Sequence, residues 1–481
     1  MYRIVEGDTC GRADVAEFVD LINARERGSD KFFDPNEKIF IARAPGRLDV
    51  MGGIADYSGS LVLQMPIAEA TFAAVQKSSD QKVRIVSLSE TGQEFNFEIA
   101  ITGLKAASDY TEIRRMFRDR PTDHWASYAC GVFSVLSREK NVDFGSGARI
   151  LISSRVPIGK GVSSSAALEV AAMNALCSAF GITTEARELA LLCQRVENEI
   201  AGAPCGVMDQ IASNCGIENA LISLLCQPAE IKGTLDIPET IEFWGIDSGV
   251  HHAVAGSDYT SVRVGAFMGY RIIADLANLS CCRIADGLVE IRNDPWRGYL
   301  CNVSPDEYRP YGPSIPKEIV GSEFLEKYGG ITDGVTAVHP DKIYPVKAAT
   351  EHAIFENCRV IEFSNLLRSR PDIKQMERMG ELMFQSHASY AACGLTEPGT
   401  DRLVQLARER RSAGLFGARI TGGGSGGTVA ILSVRDNETA ICRIAAQYEN
   451  EIGGKPYIFH ASSPGSSSFG SITLEYNRRE S

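Results

Sequence analysis

One stretch constrains the chain more than any other: Val156-Pro157-Ile158-Gly159-Lys160-Gly161-Val162-Ser163-Ser164-Ser165-Ala166-Ala167. The apolar run 148 to 153 before it predicts a buried strand. Small and apolar residues at helical spacing from Ser163 to Phe180, stopped by Gly181, predict a long helix. A strand that feeds a helix through a glycine loop commits the chain to a layered body of mixed elements. Two glycines and three serines in such a loop can wrap backbone N–H groups around phosphate oxygens, and the helix dipole favours the negative charge. The same residues also make an ordinary strand-to-helix loop with good N-cap serines. The Gly-Lys-Ser/Thr order of a Walker A loop is absent.

At 481 residues the chain exceeds what one hydrophobic core usually supports, so two domains, or one large one, are expected. Residues 1–37 read as an N-terminal extension around one amphipathic helix, with Val15, Phe18, Val19 and Ile22 on its apolar face. Residues 38–235 read as a first, nucleotide-binding domain and 236–481 as a second. An irregular insertion is expected at about 283–345, where Pro, Tyr, Asp and Gly accumulate. In the first domain Ile39 to Ile41, Leu61 to Leu63 and Ala73 to Val75 read as separate strands around turn residues, with Arg43-Ala44-Pro45-Gly46-Arg47 as one of the turns.

Lys plus Arg number 49 against 61 Asp plus Glu, a formal charge of -12, which argues against nucleic acid or an anionic membrane as partner. No apolar run reaches the length of a membrane span, and the first residues lack the pattern of a signal peptide. The thirteen cysteines show no Cys-x-x-Cys spacing and read as reduced core thiols, so a cytoplasmic protein is expected. Oligomeric state is left open.

A second glycine run, Gly422-Gly423-Gly424-Ser425-Gly426-Gly427, formally contains Gly-x-Gly-x-x-Gly. A strand and not a helix follows it in Thr428 to Leu432, so a dinucleotide loop is rejected. Either a hairpin turn or a close backbone approach to a ligand remains. Further upstream, Arg47, Asp49 and Asp56 sit among the glycines of Arg43 to Tyr57, and taken singly each reads as a solvated loop charge. Glu197 falls in a helix, and Asp209 lies in the apolar stretch around Gly206-Val207-Met208, where an acid needs a partner or a function.

Together these segments resemble the GHMP kinase superfamily, and within it the galactokinase and L-arabinokinase branch. Arg43 to Tyr57 resembles the first motif of that branch, Val156 to Ala167 the second, Gly417 to Leu432 the third, and Ala201 to Gln210 its sugar-site segment. The resemblance implies an α+β fold of two domains, ribosomal-S5-like and then ferredoxin-like, with the active site between them. It implies ATP and Mg2+ as cofactors and a small sugar as acceptor. Arg47 would neutralise charge near the transferring phosphoryl group, and Asp209 would serve as base or orienting group at the anomeric hydroxyl. Ser165 and Glu197 would be magnesium ligands. Asp56, Gly53, Ile54, Gly206 and Tyr259 would meet the sugar. Gly159, Lys160, Gly161, Val162, Ser163, Ser164, Ser165 and Ala166 would hold the phosphates, with Trp125 and Tyr128 beside the adenine. Gly422, Gly423, Gly424, Ser425 and Gly426 would wall the site. His124, His251, His252, His339, His352, His387 and His460 read as mainly structural, with His387 the least settled.

The galactokinase motif continues Gly-Glu-His-x-Asp-Tyr, where this chain has Gly52-Gly53-Ile54-Ala55-Asp56-Tyr57. The polar partners of galactose's exocyclic hydroxyl are gone. L-Arabinopyranose keeps the ring stereochemistry of galactose without that group, so an apolar Ile54 beside Gly53 suits it. The expected activity is ATP-dependent phosphorylation of L-arabinose at O1, with a galactokinase, a 6-deoxysugar kinase or a non-catalytic sugar and ATP sensor as alternatives.

Overall fold

The structure, a computed structural model, describes residues 1–28, 31–89, 92–249 and 257–477. Its first sheet takes β1 (Tyr2–Glu6), β2 (Ile39–Met51), β3 (Leu61–Ser78), β4 (Lys82–Leu88), β5 (Glu94–Ala100), β6 (Gly147–Ser154), β7 (Ala220–Leu225) and β8 (Glu230–Asp236). β9 (Ile241–Asp247) opens a second sheet. The segment after it carries short strands β10 (Cys281–Ala285), β11 (Gly287–Ile291), β12 (Ile319–Val320), β13 (Gly330–Ile331) and β14 (Ile343–Tyr344). β15 (Leu415–Ile420), β16 (Thr428–Val434) and β17 (Ile458–Phe459) complete the second sheet in the order β15-β16-β9-β17. The last strand, β18 (Ser471–Tyr476), returns to the first sheet between β1 and β2.

Period-two alternation along β2 and β3 buries both faces of the first sheet. Ala42, Ala44, Ala73 and Val75 face the helices Ala126–Glu139 and Ser164–Phe180. Ile39, Ile41, Phe72 and Ala74 face the N-terminal helix Ala13–Glu26, where the Phe18 ring stacks on Phe72 at 4.8 Å. Farther along the same strands Leu48, Val50, Leu63 and Met65 join Phe363, Met379, Leu382 and Leu432 in one apolar cluster. The two sheets therefore share a core, and each fully buried Leu, Ile or Phe in it contributes about 1.5–3 kcal/mol.

Four expectations are corrected. Arg43 to Arg47 is not a turn: β2 runs through it, and Pro45 and Gly46 are absorbed where its register against β3 shifts between Pro45 and Arg47. A second shift between Asp49 and Met51 follows, and such bulges re-aim side chains without ending a strand. Residues 61 to 63 and 73 to 75 belong to one strand, whose first half pairs with β7 and second half with β6. The extension and the second domain are not self-contained, because β1 pairs with β18 and β18 with β2. The 283–345 segment is more regular than expected, with β10, β11 and β13 in one small sheet and β12 paired to β14. Among the described residues no helix is long and apolar enough to cross a membrane.

Candidate active site

Between the two sheets lies a cavity of about 740 Å³. Arg47 and Asp56 line it from the first motif, Gly159 and Gly161 from the first glycine loop, and Gly423, Gly424, Ser425 and Gly426 from the second. Glu197, Gly206, Asp209 and Tyr259 line it as well.

The first glycine loop is shaped by its backbone. Gly159 and Gly161 have φ of 74° and 72°, a region open to glycine at little cost. Ser163 adopts φ 62° immediately before the helix Ser164–Phe180. A non-glycine residue there is strained, and such strain gathers at binding sites. Ser425 in the second loop shares this conformation, with φ 60°. The hydroxyls of both serines are buried without a protein partner.

Arg47 ties the loop to the acid. Its Nη1 donates to the Gly161 carbonyl at 2.6 Å and its Nε to Asp209 Oδ1 at 2.9 Å. Its backbone N–H donates to the Val162 carbonyl, so the loop docks on β2 at the bulge. Only 3% of the Arg47 side chain is exposed, whereas 21% of Asp209 reaches the cavity. Lys160 pairs with Asp247 at the end of β9 at 2.6 Å, and its carbonyl accepts from the Thr428 hydroxyl. The two loops are thus fastened to each other.

Glu197 sits in a π-helical turn, Val196–Ala201, of the kind found at functional sites. Burial raises its carboxyl to about 7; the Ser165 hydroxyl opposes that shift by hydrogen bonding, and the Asp209 charge adds to it. The Gln210 amide donates to Glu197 at 2.5 Å and to Glu169 at 3.3 Å. Glu169, wholly buried, is pushed well above the carboxylate range by burial and then by Glu197. Two neighbouring buried carboxyls oppose each other's ionisation, and Glu169, the more strongly raised, keeps its proton longer, so Glu197 is the first of the two to become an anion. A serine hydroxyl beside a carboxylate whose ionisation burial opposes fits a hard divalent cation. Among the described residues no cluster of three or more His, Cys, Asp or Glu side chains forms a complete metal cage. A cation at Ser165 and Glu197 would draw its other ligands from phosphate and water.

Asp56 is 4% exposed and its carboxyl is raised to about 7 by burial and then by Asp209, against the pull of Arg263. Gly206 packs directly beneath it: a Cβ at 206 would lie 1.8 Å from Asp56 Oδ2. Tyr259 meets Tyr57 edge-on at 5.8 Å.

Other expected site residues are not among those that line this cavity. Ile54 does not reach the cavity; it is wholly buried among Val262, Tyr390 and Leu395. Gly53 is absent from the lining too, and a Cβ on it would meet the Tyr390 hydroxyl at 1.7 Å. That hydroxyl accepts from the Ile54 N–H and donates to the Gly422 carbonyl, so Gly422 is held behind the wall. Trp125 packs on the helical core with its ring 6.3 Å from Phe95, and Tyr128 lies beside His124. Val162 and Ala166 are buried in the core beneath the loop, and Ser164 opens the helix. His124, read as structural, lines the cavity with Nε2 3.0 Å from the Ala201 carbonyl. His387 bridges Asp401 and the Ile420 N–H, and His352 is buried and held down to about 4, mainly by that burial. His251 and His252 lie outside the described residues.

Sequence reasoning missed Glu169, Lys342 on the cavity wall, and the buried pairs Asp49–Arg419 and Arg263–Asp333. An acid inside the apolar helix run was a usable signal for Glu169. The long-range pairs left none.

The raised carboxyls have a consequence for stability. Asp56 and Glu197 titrate near 4 in an unfolded chain, so toward pH 7 the folded protein holds protons that the unfolded chain has released, and stability falls as pH rises. His352 gives the opposite slope below its unfolded value of about 6.5, so the informative window is about pH 6.5 to 8. The ligand-free protein is expected to melt at a lower temperature at pH 8 than at pH 6.5, with each group contributing up to about 1.4 kcal/mol per pH unit. A melting temperature that stays flat or rises across that window would contradict the raised carboxyls.

The sequence pattern of the GHMP kinases N terminal domain matches residues 127–216, that of the GHMP kinases C terminal domain matches 364–451, and the galactokinase galactose-binding signature matches 30–77. The chain is 40% identical to an L-arabinokinase of Arabidopsis thaliana over 98% of its own length and 52% of that protein, and so spans about half of it. It is 29% identical to a galactokinase of Chloroflexus aggregans, over 86% of this chain and 89% of that one. The galactokinase of Lactococcus lactis solved with galactose superposes over 95% of this chain and 99% of that one, with a TM-score of 0.70 at 20% identity. A mevalonate kinase superposes over 90% and 99%, with a TM-score of 0.53 at 16% identity.

Proposed function

The chain belongs to the GHMP kinase family and carries the family's galactokinase signature, and on that premise we propose that it transfers the γ-phosphoryl group of ATP to O1 of L-arabinose. The observation that carries this reading is Arg47, which joins the Gly161 carbonyl of the phosphate loop to the Asp209 carboxylate inside one cavity. Phosphoryl transfer asks little covalent chemistry of a protein: it needs donor and acceptor held in line and developing charge neutralised.

The backbone of residues 159–166 and the left-handed Ser163 would cradle the phosphates, with Trp125 and Tyr128 toward the adenine side. Arg47 supplies positive charge where the phosphoryl group moves. Asp209 accepts the O1–H proton, or a hydrogen bond from it, as O1 attacks phosphorus and the bond to the ADP oxygen breaks. Mg2+ held by Ser165 and Glu197 would neutralise phosphate charge. Asp56, above Gly206, takes ring hydroxyls as an acceptor. A cytoplasmic setting accords with thirteen free cysteines.

The pentose assignment rests on Gly53. No side chain fits there against Tyr390, so an acid that would receive the exocyclic hydroxyl of galactose has no place to stand. Ile54 adds no steric block, since it faces the core. Discrimination then comes from an unpaired buried hydroxyl, about 1–3 kcal/mol or roughly 5- to 150-fold. Measured kcat/KM is expected to favour L-arabinose over D-galactose by that range. A preference for galactose would reassign the substrate while leaving the kinase chemistry in place.

A further inference from the structure

The 283–345 segment places Lys342 on the cavity wall and pairs Asp333 with Arg263 behind it. Asp333 is 6% exposed and grips Arg263 of the helix Ser257–Leu276 with both oxygens, at 2.8 and 2.9 Å. Lys342, nine residues further on, lines the cavity itself. Taking the cavity as a sugar site, we propose that Asp333, acting through Arg263, is a positioning residue for the sugar subsite, and that the 283–345 segment is thereby part of the active site.

Arg263 is 5% exposed, and beyond Asp333 it meets the Cys205 carbonyl and the Tyr57 and Phe267 rings. Its Nη1 donates to the Cys205 carbonyl at 3.2 Å, which fixes the peptide leading into Gly206. Gly206 in turn lies against Asp56, with no room between them for even a Cβ, so the placing of that peptide bears on the carboxylate. The guanidinium also lies over the Tyr57 ring, 5.5 Å from its centre, and over Phe267 at 5.9 Å. Tyr57 follows Asp56 in the chain and packs on Tyr259. Arg263 therefore holds the Cys205–Gly206 peptide and the Tyr57 ring, which flank Asp56.

Asp333 is built to hold this cation still. Its Oδ1 also accepts from the Val335 N–H at 3.1 Å and its Oδ2 from the Thr336 hydroxyl at 2.7 Å. These four donors keep its carboxyl ionised below the usual range despite burial. A buried ion pair is a weak stabiliser, because desolvation offsets most of the attraction, but a bidentate pair fixes geometry well. None of the recipients of Arg263 lies on the glycine loops, so the effect belongs to sugar binding and not to the nucleotide.

The test measures sugar binding by calorimetry and KM for L-arabinose, D-galactose and ATP in the full chain. Asp333→Asn and Arg263→Lys are each expected to raise the L-arabinose KM and Kd about 10-fold while ATP KM stays within about 2-fold, and the double variant to do no more than either one. Thr336→Val, a milder change that removes one donor to Asp333, is expected to give about a 3-fold rise in the same constant. Unchanged sugar constants in these variants, equal changes for sugar and ATP, or additive effects in the double variant would overturn the positioning role. A parent protein that binds neither sugar would overturn the sugar-kinase reading itself, whereas a parent that binds sugar with unaffected variants overturns only the role of Asp333.

Discussion

Asp209→Asn is expected to lower kcat with L-arabinose by about 10²- to 10⁴-fold while the sugar and ATP KM values change by no more than about 3-fold. The amide keeps the shape of the side chain and can still accept the Arg47 Nε–H, which the parent donates to Asp209 Oδ1 at 2.9 Å. It cannot take a proton from O1, and it no longer balances the charge of a cation that is 3% exposed. Because Arg47 keeps the Gly161 carbonyl and the amide oxygen, the loop stays docked and the variant folds, with a fall in melting temperature from the lost charge balance. Turnover within a few-fold of the parent would remove Asp209 from the chemistry and leave the cavity as a binding site only.

The second large effect concerns stability, behind the same wall. Asp49 and Arg419 are both fully buried and pair at 2.8 Å. Asp49 also accepts from the Gln64 amide, from the Gly53 N–H and from the Gly422 N–H. It therefore links the first motif to the third. Arg419 has two nitrogens, Nε and Nη2, with no hydrogen-bond partner, so the carboxylate is its main compensation. Asp49→Ala strands a buried cation and three N–H donors and is expected to destabilise the protein by about 3–5 kcal/mol. At roughly 2–4 °C per kcal/mol for a large domain, the melting temperature should fall by about 10 °C. Asp49→Asn combined with Arg419→Met removes both charges and should recover a substantial part of that loss. A single variant that melts within about 2 °C of the parent would show that Glu356, the other acid whose charge bears on Arg419, compensates the cation unaided.

These two effects divide along the line between what the residue order carried and what only folding brings together. The phosphate loop was readable because everything that shapes it is local: a strand, left-handed glycines, serines and a helix start within twelve residues. Asp209 stood out because an acid in apolar surroundings requires an explanation, whereas Glu197 was reached only through the family resemblance. Local reading failed where a signal has two physical meanings. Pro45-Gly46 looks like a turn and is a bulge inside β2, which turns Arg47 from a surface charge into a buried tether. Ile54 reads as a sugar contact because it stands where the galactokinase motif has a polar residue, but the turn Gly53–Ser58 points it into the apolar cluster of Val262, Tyr390 and Leu395. The Arg263–Asp333 pair spans 70 residues and was invisible, since neither partner carries a motif and the segment between them reads as loop. The same holds for Asp49 and Arg419, 370 residues apart.

The common root of these expectations is that one cavity holds a nucleotide's terminal phosphate against the anomeric oxygen of a pentose. Incubating the protein with ATP, Mg2+ and L-arabinose and recording the phosphorus spectrum of the product with proton coupling tests this most directly. The account predicts ADP release that depends on the sugar and a single phosphomonoester whose phosphorus couples to the anomeric proton. Coupling to any other sugar proton, or ADP release indifferent to every pentose and hexose supplied, would contradict it.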